Sequence, residues 1–208
     1  MSLTADDATW QAAWAALGTQ ADMALLARLR ECWCEPHRHY HTLQHLEECF
    51  SQLDALAPQC EHVGEVVLAL WFHDAVYDPH RADNEARSAE WAHEAARAAG
   101  AGEAVATRLH ALVMATGHGV PPRGLDERIV VDVDLAILGA KPSRFDEYER
   151  QVRSDYAWVP DEVFRTTRRH LLEGLLARPA IYSTPGLASQ LEARARSNLQ
   201  RSLAALAA

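Results

Sequence analysis

Leu70-Trp71-Phe72-His73-Asp74-Ala75-Val76-Tyr77-Asp78 is the stretch on which the chain turns. The apolar run from Val66 to Val76 reads as a buried helix, and His73-Asp74 interrupts it. Adjacent imidazole and carboxylate groups in such a run are strongly destabilising if left unpaired. A metal ion satisfies both, since neutral imidazole and carboxylate are ligands that first-row divalent ions accept. Upstream stands Arg38-His39-Tyr40-His41-Thr42-Leu43-Gln44-His45. On a helix, His41 and His45 would share a face one turn apart. His45, His73 and Asp74 are therefore read as ligands of one metal, with a later carboxylate completing the set.

That carboxylate is sought in Ile129-Val130-Val131-Asp132-Val133-Asp134-Leu135-Ala136-Ile137-Leu138. Two aspartates two apart on a helix point roughly 200° away from each other, so at most one faces a buried metal. Asp134 has Val130, Val131, Ile137 and Leu138 at three and four residues, the greasier surroundings. Asp134 is the expected ligand, and Asp132 is expected to pair with Arg128 one turn earlier.

The 208 residues suffice for one good-sized domain, and 49% hydrophobic residues allow a substantial core. Ala and Leu dominate and β-branched clusters are few, which favours an all-α fold. The net charge of −9 argues against general nucleic-acid binding. No run of about 18 apolar residues suggests a membrane span. Residues 1–7 lack a basic segment and an apolar core, so a cytoplasmic location is expected. Cys32, Cys34, Cys49 and Cys60 form no paired CxxC framework and read as reduced thiols in small buried or half-buried positions. Cys32, Cys34 and His37 fit no strong zinc spacing.

Apolar periodicity and breakers give the elements. Two helices are expected between Ala8 and Arg30, broken near Gly18-Thr19. Further helices are expected over Tyr40–Leu56, His62–Tyr77, Asp83 or Asn84 to about Ala99, Gly102–Thr116, Leu125–Leu138, Pro142–Tyr156, Asp161–Ala177 and Gly186–Leu206. The simplest organisation is one all-α domain over 1–208. Its core spans about 35–141, with N-terminal helices in 5–30 and C-terminal helices in 143–207 packed around it.

His45, His73-Asp74 and Asp134 resemble the H…HD…D signature of the HD-domain superfamily of metal-dependent phosphohydrolases. Tyr40-His41-x-x-x-His45 is similar to the YHNxxH motif of the cyclic nucleotide phosphodiesterases within it, and Asp134-Leu135 to their ADLS segment. The closer resemblance is to a bacterial-type group of predicted HD phosphohydrolases of about this length. It is carried by RHYHTLQH, WFHDAVYD, DNEARSA, DVDLAILG, YERQVRSDY, and IYSTP followed by EARARSNL, over residues from about 35 to 200. The resemblance implies an HD helical fold, a divalent metal held by His45, His73, Asp74 and Asp134, and His41 as the general acid. Thr42 stands where the phosphodiesterases have Asn, beside the acid. His41 and Asp74 are the candidate catalytic residues. The implied activity is hydrolysis of a phosphoester of a small phosphorylated compound, nucleotides included. The ligand set accepts manganese, iron, cobalt, nickel or zinc, and magnesium less readily.

Other residues are candidates on weaker grounds. Arg38 could grip a phosphate as a two-pronged donor, or pair with Glu35. Asp78 could orient a bound water, Asn84 and Glu85 could reach the substrate, and Arg153 and Arg196 could contact its phosphate. His118 and His110 are candidate ligands of a second metal, since several HD enzymes use extra histidines in this interval. With two ions, an HD-fold di-iron oxygenase becomes the alternative to hydrolysis. A non-catalytic metal-binding regulator is the third reading.

Overall fold

The computed structural model describes residues 3–117, 119 and 121–207. Among these residues the chain is all-helical, as expected, with ten α-helices, two short 3₁₀ segments and no strand. None of the helices is long and apolar enough to cross a membrane. The residue contacts divide the chain into two compact units, Met1–Asp134 and Leu135–Ala208.

The first unit holds α1 (Asp7–Ala16), α2 (Met23–Trp33), α3 (Leu43–Leu56), α4 (Val63–Phe72), α5 (Asn84–Ala98), α6 (Glu103–Ala115) and α7 (Leu125–Asp134). Its organising element is α4. Every residue from Gly64 to Phe72 is buried. A helix apolar all round must be enclosed on every side, and α1, α3, α5, α6 and α7 all pack on this one. Trp71 meets Trp10 edge-on, with ring centroids 5.9 Å apart, and Phe72 meets Trp91 at 5.8 Å. Each such large side chain contributes roughly 1.5–3 kcal/mol on burial. The one acid within α4, Glu65, is buried and paired, taking both prongs of Arg108 at 2.6 and 2.9 Å. Asp126, near the start of α7, accepts from the N–H groups of Glu61 and His62 at 2.8 Å, fixing the entry to α4.

Helix limits depart from the sequence expectation at three places, and all lie beside the candidate ligands. The helix expected from Tyr40 begins only at Leu43. Thr42 is its extended N-cap residue, and Tyr40 and His41 lie in the preceding turn. His41 is therefore not one helical turn below His45 on a common helix. The helix expected to run to Tyr77 ends at Phe72. His73 keeps helical angles and donates its N–H to Ala69, but the chain then tightens, with Ala75 N–H reaching Phe72 O at 2.9 Å. The helix expected to run from Leu125 to Leu138 is α-helical only to Asp134, and Leu135–Gly139 is 3₁₀. Breakers otherwise act where they stand. After α5, Gly100 adopts φ +82°, and Ala101 N–H returns to Ala96 O at 3.0 Å.

The second unit follows Leu135–Gly139 with α8 (Pro142–Asp155), α9 (Asp161–Ala177) and α10 (Pro185–Ala207). Polar braces tie it together. Arg168 is buried and reaches Tyr148 Oη at 2.8 Å and the carboxylate of Glu149, which also accepts from Ser202 at 2.7 Å. Asn198 donates to the carbonyls of Leu138 and Ala140 at 2.9 and 3.0 Å.

Gly64 lets α4 approach α1 closely. A Cβ there would stand 2.8 Å from Ala13 O and 3.0 Å from both Ala16 Cβ and Leu17 Cδ1. Gly64→Ala should lower stability by about 1–3 kcal/mol, read as a fall in urea midpoint at unchanged slope. Gly174→Ala on α9, where an added methyl meets nothing within 4 Å, should instead gain up to about 1 kcal/mol. Equal effects at the two sites would contradict the close approach.

Candidate metal centre

Three helices deliver the candidate ligands at or near their ends. His45 is the third residue of α3, on its buried stripe with Leu46, Cys49 and Phe50. His73-Asp74 follows the last residue of α4, and Asp134 is the last residue of α7. Among the described residues, one group of His, Cys, Asp and Glu side chains could hold a metal ion. It comprises His45, Cys49, His73 and Asp134, whose donor atoms lie within 4.8 Å of one another.

The close contacts join the two ring nitrogens to each other and to the carboxylates. His45 Nε2 is 3.1 Å from His73 Nε2, 3.2 Å from Asp134 Oδ1 and 3.9 Å from Asp74 Oδ2. His73 Nε2 is 3.2 Å from Asp74 Oδ2 and 3.8 Å from Asp134 Oδ1. Around an ion with ligands at about 2.1 Å, neighbouring donors stand about 3.0 Å apart in an octahedron and about 3.4 Å apart in a tetrahedron. The observed separations are of that size. The other ring nitrogens are already committed. His73 Nδ1 donates to Leu70 O at 2.8 Å, which leaves the lone pair of a neutral ring on Nε2. His45 Nδ1 faces Tyr40 Oη at 3.0 Å. A fixed outer nitrogen and an inward Nε2 is the usual arrangement of metal-binding histidine.

Cys49 belongs to the group but is placed differently. Its Sγ is 3.7 Å from Nδ1 and 3.8 Å from Nε2 of His45, so it lies beside the ring and not ahead of Nε2. It also points to Val133 O at 3.8 Å. Burial, reinforced by Asp134 and Asp74, pushes its thiol pKa far above the usual range. Asp74 stands beside this group, with Oδ2 3.2 Å from His73 Nε2 and 3.9 Å from His45 Nε2.

Electrostatics supports the fit of a cation. Burial works against a charged His73 ring, but Asp74 and Asp134 outweigh it and push its pKa up to about 9. Burial would raise the Asp74 carboxyl, yet His73 and His41 hold it well below the usual carboxylate range. Burial keeps His45 below the ordinary imidazole value, against the pull of Asp134. Two carboxylates and one imidazolium sum to a single negative charge. A divalent ion replacing the proton on His73 would leave two neutral rings, two carboxylates and no net charge.

Trp33 backs the cluster. Its ring lies 5.3 Å from that of His73 and 6.3 Å from that of His45, and its Nε1 donates to Trp71 O at 3.0 Å. His41 lies beside the donor group and outside it, half-buried. Its ring is 4.2 Å from Tyr77, 4.8 Å from Tyr40 and 6.1 Å from His45.

The remaining candidates are placed as follows. Asp132 is fully buried and more enclosed than Asp134, yet only Asp134 faces the histidines. The expected choice of Asp134 agrees with this placement, although Asp132 is the more deeply buried of the two. Arg38 is committed to Glu35 and to three backbone carbonyls, which leaves no donor to turn toward a phosphate. Asn84 uses its amide on the backbone of Asp78, donating to its carbonyl at 2.8 Å and accepting from its N–H at 3.2 Å. Asp78 itself accepts from His80 N–H at 2.9 Å. Glu85 lies against Gly117. Arg153 caps the end of α8 at Tyr156 O and Val159 O, and Arg196 caps α9 at Leu176 O and Arg178 O. Both arginines are thus helix braces of the second unit, not free phosphate donors. His110 sits against His93, ring centroids 6.2 Å apart, and is not in the donor group. His118 lies outside the described residues. Cys32, Cys34 and His37 are not gathered as a group.

Sequence reasoning missed the proximity of Cys49, although its position four after His45 on an amphipathic helix could have revealed it. It also gave no role to Tyr40 and Tyr77, whose rings pack on His45 and His41.

Two outcomes test the centre. Asp134→Asn should weaken binding of manganese or cobalt more than the roughly 10–100-fold typical of outer partners, while Asp132→Asn should leave metal content unchanged. The pH dependence has a definite sign. The raised pKa of His73 gives the metal-free chain stability that is complete below about 6.5 and is lost as pH rises through about 9. The lowered pKa of Asp74 gives stability present above 3.8 and lost as pH falls below it. Chelated protein should therefore lose thermal stability from pH 6.5 to 9, and added metal should restore more of it at the upper end. Identical melting curves with and without metal across that range would contradict the assignment. Comparison with family models, with curated proteins and with solved structures finds no match, so the site is read from its own side chains.

Proposed function

We propose that the chain is an HD-type metal-dependent phosphohydrolase acting on a small phosphorylated compound, with nucleotides within that class. The observation that carries this reading is the approach of two carboxylate oxygens to two imidazole nitrogens that stand 3.1 Å apart, at 3.2–3.9 Å, with a further histidine beside them. A divalent ion held there would supply an acidified water and draw charge from a phosphoryl oxygen.

The side chains of the chain do the rest. His45 and His73 present Nε2 because Tyr40 and Leu70 occupy or face their outer nitrogens. Asp74 and Asp134 supply the negative charge that a divalent cation needs in a buried place. Asp74 also interacts electrostatically with His41, to which the role of acid is assigned. His41, outside the donor group, gives its proton to the departing oxygen as the bond to phosphorus breaks. Tyr77 holds the His41 ring against one face. The ordered motifs from RHYHTLQH to DVDLAILG support the same reading.

A panel of phosphorylated metabolites, incubated with manganese, cobalt, nickel, zinc or magnesium, tests it by release of phosphate. Turnover of at least one compound that stops on chelation is expected. No release with any ion would sink the hydrolase, and two bound irons with oxygen consumption would replace it with the oxygenase. His41→Gln should keep metal content and lose roughly 10²–10⁴-fold in rate. The loss should shrink for a nitrophenyl phosphate, whose leaving oxygen needs no proton. An empty metal site in this variant, or equal loss on both substrates, would remove His41 from the role of acid.

A further inference from the structure

Arg38 is a buried cation that the metal ligands do not use. Its side chain is 0% exposed. Nε and Nη2 meet Glu35 Oε2, each at 2.9 Å. Nη1 donates to Asp74 O at 2.6 Å and to His41 O at 3.3 Å, and Nη2 donates to Ala75 O at 3.0 Å. A guanidinium has five N–H donors in a fixed plane, and five contacts are present.

These acceptors belong to two different turns. Asp74 O and Ala75 O are carbonyls just past the end of α4, where no helical partner remains for them. His41 O belongs to the turn before α3. One nitrogen, Nη1, bridges the backbone of His41 and the backbone of Asp74. Two aromatic rings flank the guanidinium as well. Its carbon stands 5.7 Å from the Trp33 ring centroid and 5.2 Å from that of Tyr77. Trp33 packs on His73 and Tyr77 packs on His41. The N–H donors of this one group thus reach the backbone of both turns, and the two rings beside it pack on the histidines of both.

We propose that Arg38 is the positioning residue of the candidate metal centre, fixing the turn that carries His41 against the turn that carries His73-Asp74. It acts through backbone carbonyls and ring packing, and touches no substrate. The assignment rests on the reading of the donor group as a metal centre. Lysine is a poor replacement. It brings three donors on one nitrogen, while Arg38 serves Glu35 and three carbonyls lying along a plane.

The test uses the full chain loaded with cobalt, whose visible absorption reports the symmetry of its ligands. Arg38→Ala should bind cobalt roughly 10–100-fold more weakly, the range for partners that orient ligands, and should alter the absorption bands. The deleted side chain leaves a slot between Trp33 and Tyr77 lined by the same carbonyls and Glu35. Dilute guanidinium should refill it and restore both affinity and spectrum, whereas methylammonium should not. Circular dichroism separates loss of fold from loss of position. If Arg38→Ala does not fold, Arg38→Lys decides, with intermediate affinity and a shifted spectrum expected. A folded variant with unchanged affinity and spectrum, or restoration equally by methylammonium, overturns the role of Arg38 alone. A wild-type chain that takes up no cobalt overturns the metal centre and the role of Arg38 together.

Discussion

Two carboxylates, each with an oxygen within 4 Å of two buried imidazole nitrogens, call for positive charge among them. This constraint governs the first unit. His45 Nε2 and His73 Nε2 stand 3.1 Å apart, and Asp74 Oδ2 and Asp134 Oδ1 each lie 3.2–3.9 Å from them. A proton on His73 meets part of that need, held there by Asp74 and Asp134 against the cost of burial. The helices add to the demand. α4 and α7 both direct their C-terminal ends, which carry partial negative charge, toward the cluster. An aspartate at such an end, as Asp134 is, is unfavourable unless a cation accompanies it.

The ends of helices also supply precision. A helix interior has one fixed geometry, whereas an end can be tightened, capped and turned. α3 begins late, at Leu43, which frees Tyr40 to reach the outer nitrogen of His45 and leaves His41 in a separate turn. α4 stops early, at Phe72, which lets Asp74 swing beside His73 and exposes carbonyls for Arg38. The apolar body of α4 anchors all of this, because a helix enclosed on every side has no freedom to slide.

Much of this was legible in the sequence. The all-α class followed from composition, and the elements followed from periodicity and from Gly and Pro. His73-Asp74 was conspicuous because polar neighbours in an apolar run need partners. The selection of Asp134 over Asp132 agrees with the geometry of the cluster, but the stated ground was incomplete. Asp132 is the more buried of the two, and direction, not depth, separates them. What could not be read was where α3 starts and α4 ends. Both limits are set by contacts distant in sequence, Arg38 to Asp74 and Ala75 above all, and local propensity carries no trace of them. For the same reason Arg38, Asn84, Arg153 and Arg196 looked available to a substrate. Their backbone partners appear only once the chain is folded.

Trp33 has an optical consequence. Its indole stands 5.3 Å from the ring of His73 and 6.3 Å from that of His45, and Nε1–H is tied to Trp71 O. An imidazolium at that range withdraws excited-state electron density from an indole, and a paramagnetic ion shortens its emission. The chain therefore carries its own fluorophore against the donor group, sensitive to whether His73 holds a proton or a cation. The change in emission on adding metal, compared between the chain and Trp33→Phe, isolates the contribution of this one indole among the six.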